Sequence, residues 1–160
     1  MEDIWNITAL VVSVLSVLLS LYALRQATTK NTSDMYLFFI SQYAKEDMKL
    51  ALRKLKDIKR GVYRLEQWES DMKNNLPKAF EYDEARRLVK YFYDTLAYMK
   101  LEKLIEARFV RLICLKKGGW LYLDTVEAME KFFDSGYDKK PYAVIRDVCE
   151  NLRKEGCCPP

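Results

Sequence analysis

From Ile4 to Leu24 the chain carries no charged side chain. Wound as a helix, these 21 residues measure roughly 31 Å, close to the hydrocarbon thickness of a bilayer. The run is expected to be a transmembrane helix. It lacks the basic start and small-residue cleavage site of a secretory signal, opening instead on "MEDIW" with Glu2 and Asp3, so a retained anchor is expected. Lys and Arg are absent before the run, whereas Arg25 and Lys30 follow it. The positive-inside rule therefore puts the N-terminus outside and the rest of the chain in the cytoplasm, a single-pass topology. Trp5 and Tyr22 suit the two interfaces.

Within the run, Asn6, Ala9, Ser13, Ser16, Ser20, Ala23 and Ala27 alternate three and four apart, which places them on one helix face. In lipid, apolar side chains gain nothing by leaving the tails for each other, so helices associate through close backbone approach and polar contacts. Ala9, Ser13, Ser16, Ser20 and Ala23 thus form a candidate association seam, for a second copy or another membrane protein. The competing reading has each serine hydroxyl bonded back to the carbonyl four residues earlier.

Beyond a polar juncture the pattern is helical, with few glycines and no strand-like alternation. The expectation is an all-α chain: an anchor and juncture over 1–30, a bundle of six to seven helices over 31–156, and a tail at 157–160. Ser33 is a candidate cap for a helix from Asp34 to Tyr43. Further helices are expected over Lys45–Arg60, Val62–Lys73, Asp83–Lys100, Glu102–Leu115 and Trp120–Phe133, and from Pro141 to about Gly156. The fourth of these bundle helices is apolar nearly all round, through Leu88, Val89, Tyr91, Phe92, Leu96 and Met99, and should be central.

Lys45, Lys49, Arg53, Lys56 and Arg60 recur at four, four, three and four residues, one basic stripe on one helix. Seven basic and three acidic residues between Lys45 and Arg60 give that helix a net +4, equal to the charge of the whole chain. Beside an anionic leaflet each basic group contributes about 1 kcal/mol, so the stripe is a candidate lipid contact; a merely solvated face is the alternative. Nucleic acid is not expected as a partner.

The chain contains no histidine, which excludes Ser/His and Cys/His catalysis and histidine-bearing zinc sites. Glu81, Asp83 and Glu84 in "EYDEARR" are read as carboxylates at a helix start, with Arg86 and Arg87 as candidate ion-pair partners, rather than as acid/base catalysts. Cys114, Cys149, Cys157 and Cys158 form no CxxC pair. Thiols in a reducing compartment are expected rather than a disulfide framework or a metal site, and "CCPP" reads as a loose tail. No cofactor, metal or enzymatic activity is expected.

The juncture "SLYALRQATTKNT" resembles the end of the anchor in a group of small prokaryotic single-pass membrane proteins, where Tyr-Leu-Ala-x-Gln leads to Asn-Thr. "DMYLFFISQYAKEDMKLALRKLKD" and "LVKYFYDTLAYMKLEKLI" are similar to the helical domain of unknown function attached to such anchors. Ala27 departs from the Ile or Val usual there. The resemblance implies the architecture and transfers no catalytic residue. Every legible feature concerns position, so the first expectation is a membrane-tethered interaction or regulatory module at the inner leaflet. A membrane-perturbing effector of a defence or toxin system is the alternative, and an enzyme comes last.

Overall fold

The computed structural model describes residues 2–133 and 137–157, with the side chains of 2–14, 25, 27–29, 31, 32, 116 and 117 excepted. The described residues are helical and contain no strand. They divide into two compact units, Met1–Met35 and Tyr36–Pro160. Helix α1 (Glu2–Ala44) supplies the described residues of the first unit and the opening of the second. It runs unbroken through Ser33 and Asp34. No new helix begins there, which corrects the capping expected of Ser33.

In the first unit, described side chains begin at Leu15. Leu15, Val17, Leu18, Leu19, Leu21, Tyr22 and Leu24 are all more than half exposed, from 53% at Leu15 to 69% at Leu24. Among the described residues no helix is long and apolar enough to cross a membrane. The expected span from Ile4 to Leu24 falls only partly within them, because Trp5, Ala9, Ser13 and the other side chains up to residue 14 lie outside the description.

The second unit is a helical bundle. Its helices after α1 are α2 (Glu46–Lys59), α3 (Leu65–Lys73), α4 (Pro77–Leu101) and α5 (Ala107–Lys117). Next comes α6, which joins Gly119–Leu121, a π-helical turn at Tyr122–Val126, and Glu127–Phe133; α7 (Lys139–Lys154) is last. As expected, α4 is central, packing against α2, α3, α5, α6 and α7. Val89, Tyr93, Leu96 and Ala97 are wholly buried on it, and Leu55, Trp68, Val110, Ile113, Met129 and Ile145 close around them from the other helices. The Trp68 indole N–H donates to the Ala79 carbonyl at 3.2 Å, which pairs its one polar group inside the core.

Helix ends follow local chemistry more finely than periodicity showed. Pro77 occupies the first turn of α4, where a missing N–H costs nothing. The stretch "NNLP" therefore ends α3 and starts α4, six residues before the expected Asp83. This corrects the reading of "EYDEARR": Asp83 lies inside the helix, not at its start, and is only 1% exposed. Gly118, at φ +78°, closes α5 in the left-handed conformation, and Gly119 opens α6. Asp138 caps α7, its side chain accepting from the Lys140 N–H at 2.9 Å.

Charges deep in the bundle are paired. Asp83 accepts from Arg86 Nε at 2.7 Å and meets Arg87 at 2.6 Å. Arg86 continues to Glu130 on α6, and its guanidinium lies 4.8 Å from the Phe133 ring centroid. Lys90 spans Asp94 at 2.8 Å and Glu130 at 3.7 Å, and the Tyr122 hydroxyl donates to Asp94. The π-helical turn carries Tyr122 between the rings of Tyr93 (4.9 Å) and Tyr142 (4.6 Å, 10° between planes). Farther along α6, Glu127 accepts from Tyr137 and Arg146 and pairs with Lys131 at 3.5 Å.

Burial acts to raise the Glu127 carboxyl, but the Tyr137 hydroxyl, Arg146 and Lys131 together hold it below its ordinary value of 4.5. A carboxyl lowered in the folded chain stabilises it fully above the unfolded value, and that contribution disappears as pH falls through the lowered one. Glu127→Gln should therefore cost about 1 to 3 kcal/mol at pH 7, a charge-assisted hydrogen-bond loss. Urea unfolding of the two proteins across pH 3 to 7, in detergent, should show the gap narrowing below about pH 4.5. A gap independent of pH would assign the loss to packing instead.

Candidate interaction surface

Helix α2 buries Met48, Ala51, Leu52, Leu55 and Ile58 against the bundle. Residues with that spacing fill one side of a helix, which leaves the flanks for charge. Lys45 and Arg60 sit at its two caps, and Lys49, Arg53 and Lys56 lie between them. All five side chains are exposed. Lys49 meets Glu46 at 3.3 Å; among the described residues Lys45, Arg53, Lys56 and Arg60 form no ion pair.

The two remaining lysines of α2 behave differently. Lys54 donates to Glu81 on α4 at 2.9 Å, and Lys59 to Asp124 in the π-helical turn at 2.6 Å. The Lys54 ammonium, by hydrogen bond and by charge, holds the Glu81 carboxyl below its ordinary value. Of the basic residues on this helix, then, five present charge outward and two tie α2 to α4 and α6. That sorting follows from which flank of α2 faces a carboxylate.

Beside the stripe is a feature that periodicity did not reveal. The end of α1, the start of α2 and the middle of α4 enclose a groove of about 360 Å³, floored by Phe38, Phe39, Met48, Leu88, Tyr91 and Phe92. Lys45 and Asp47 supply its charges. A second hollow of about 240 Å³, between α2 and α4, also uses Asp47 and Leu88 and extends to Glu81 and Glu84. Tyr91 is 74% exposed and Phe38 52%. The signal was present in α4: a helix apolar nearly all round but packed on only part of its circumference leaves Leu88 and Tyr91 outside.

In the first unit Ser16, Ser20 and Ala23 are exposed and share a face at a spacing of four and three. The Ser20 hydroxyl donates to the Ser16 carbonyl at 2.8 Å, so the bonding back along the helix that competed with the seam is realised at that residue. Close backbone approach remains open to this face, because the side chains are small. Ala9 and Ser13 lie outside the described side chains.

Among the described residues no three or more His, Cys, Asp or Glu side chains gather as a metal-binding group. No protein-family model, curated protein or solved structure matches the chain.

Residues 31–160 should bind vesicles containing anionic lipid and ignore neutral ones, weakening as salt rises because exposed charge is screened over about 8 Å at physiological ionic strength. Replacing Lys49, Arg53 and Lys56 with glutamine should weaken binding roughly 100-fold, at about 1 kcal/mol for each basic group. Lys54→Gln with Lys59→Gln is the control: it removes two charges from the same helix and should lower stability while leaving vesicle binding nearly intact. Equal losses from the two sets in a sedimentation assay would reduce the stripe to bulk charge.

Proposed function

We propose that the chain is a membrane-tethered helical interaction module, anchored by one pass with its N-terminus outside and its bundle at the cytoplasmic leaflet. The observation that carries this reading is the exposure of every large apolar side chain described from Leu15 to Leu24. Their positions cover all of the helix except the face of Ser16, Ser20 and Ala23, so packing against one neighbour along one stripe leaves most of them in water. Covering such a side chain contributes about 1.5 to 3 kcal/mol, and seven of them together favour a continuous apolar surrounding. Hydrocarbon provides it on all sides. The uncharged run continues to Ile4 in sequence, which brings the length to that of a bilayer.

The arrangement of charge supports the orientation, since basic residues follow the run and do not precede it. The outward stripe of α2 gives the bundle a means of contacting anionic headgroups. The resemblance to small prokaryotic anchored proteins agrees with the same layout. Ala9, Ser13, Ser16, Ser20 and Ala23 provide the face on which anchors pair, through close approach of small residues more than through serine hydroxyls.

Two measurements test this reading. The full chain should stay with membranes through alkaline carbonate and high salt and leave them only with detergent. A membrane-impermeant thiol reagent should miss Cys157 and Cys158 in intact cells and label them after lysis. Release by carbonate would remove the anchor; labelling in intact cells would reverse the topology.

Anchor pairing has its own test. Ser16→Leu with Ser20→Leu should reduce crosslinking of the full chain in its membrane, whereas Val14→Leu with Leu18→Ile should leave it unchanged. The inter-helix hydrogen bonds at stake average about 0.6 kcal/mol, so steric exclusion should dominate the loss. Equal crosslinking from both variants and the parent would make the seam an accident of spacing.

A further inference from the structure

Cys114 on α5 and Cys149 on α7 are buried, at 2% and 1% exposure. They meet at Gly119, the first residue of α6. A Cβ added to that glycine would fall 2.8 Å from Cys149 Sγ and 3.2 Å from Cys114 Cβ. A side chain there would meet the Cys149 sulfur and the Cβ and backbone of Cys114, so the two cysteines close on the space that the glycine leaves. Helices α5 and α7 pack directly on each other and on the start of α6, which holds the two Cβ atoms in place. Two buried cysteines brought to one glycine from two packed helices differ from one cysteine filling a core.

We propose that Cys114 and Cys149 form an oxidisable dithiol, which a hydroperoxide converts into a disulfide tying α7 to α5. Cys149 acts as the nucleophile. Its thiol is held below the ordinary value of 9.0, first by the Cys114 hydrogen bond and also by Arg146, against the opposing effects of burial, Asp124 and Glu150. The Cys149 thiolate attacks one peroxide oxygen, the O–O bond breaks, and the other oxygen leaves as an alcohol, or as water from hydrogen peroxide. Cys149 is then a sulfenic acid. The Cys114 thiolate attacks that sulfur, the S–O bond breaks, and hydroxide leaves as water with the Cys114 proton. In sum two thiols lose two electrons and two protons, and the peroxide is reduced by two electrons. Burial limits the oxidant to a small molecule admitted by local opening of the last helix. The inference stands apart from the membrane reading, since it concerns only the interior of the bundle.

The test uses the detergent-solubilised full chain carrying Cys157→Ser and Cys158→Ser, so that the tail thiols cannot compete. After hydrogen peroxide the intact mass should fall by about 2 Da, two hydrogen atoms. Tryptic digestion without reductant should yield one linked species joining the peptides that contain Cys114 and Cys149, absent after dithiothreitol. In the Cys114→Ser background, dimedone should trap the sulfenic acid on Cys149. Gly119→Ala, if it folds, should slow linkage several-fold by displacing Cys149 Sγ. The proposal fails if both thiols remain alkylatable in denaturant after peroxide, or if each gains oxygen without a linked peptide. It also fails if Cys149→Ser leaves Cys114 as the residue that dimedone traps at the parent rate.

Discussion

Arg86 is held between two carboxylates, Asp83 one turn earlier on α4 and Glu130 on α6, with all three residues at most 7% exposed. Removing charges from water costs several kcal/mol per ion, so such a group persists only where its partners are fixed around it. Fixing them sets how α4 is turned. Once Asp83 and Arg86 face inward, Val89, Tyr93, Leu96 and Ala97 follow into the core at helical spacing, while Leu88 and Tyr91 are carried to the surface. The groove at the end of α1 is a consequence of that rotation. Breaking one member of a buried pair costs about 3 to 5 kcal/mol, because the partner charge is left buried and uncompensated.

The π-helical turn depends on the same core. Its wider winding is seldom maintained without tertiary support. Here Tyr122 is stacked between Tyr93 and Tyr142 and its hydroxyl is spent on Asp94. Burial, then Asp94, pushes that hydroxyl far above its ordinary value, so it stays a neutral donor throughout the working pH range. The turn also presents Asp124 to Lys59, which joins the ring stack in the core to the helix that bears the basic stripe.

The division of labour among the lysines and arginines of α2 shows where periodicity stops being informative. Three-and-four spacing identifies a shared face for Lys45, Lys49, Arg53, Lys56 and Arg60 because a helix repeats every 3.6 residues. It says nothing about Lys54 and Lys59, whose partners Glu81 and Asp124 are 27 and 65 residues away. In the same way "EYDEARR" looks like a helix start because acidic residues favour one. Pro77 moved the start upstream, and only the neighbouring α6 makes Asp83 and Arg86 interior.

What the sequence by itself determined is what rests on local chemistry. The helical content, the uncharged run from Ile4 to Leu24, the basic stripe, the break at Gly118 and the central place of α4 all arise from hydrogen bonds and apolar spacing within a few turns. What only the tertiary structure decided depends on groups distant in the chain being brought together: Arg86 with Glu130, Lys59 with Asp124, and Cys114 with Cys149 over Gly119. Their meeting depends on the rotation and crossing of whole helices. Close packing of the core sets both, and no window of sequence contains them.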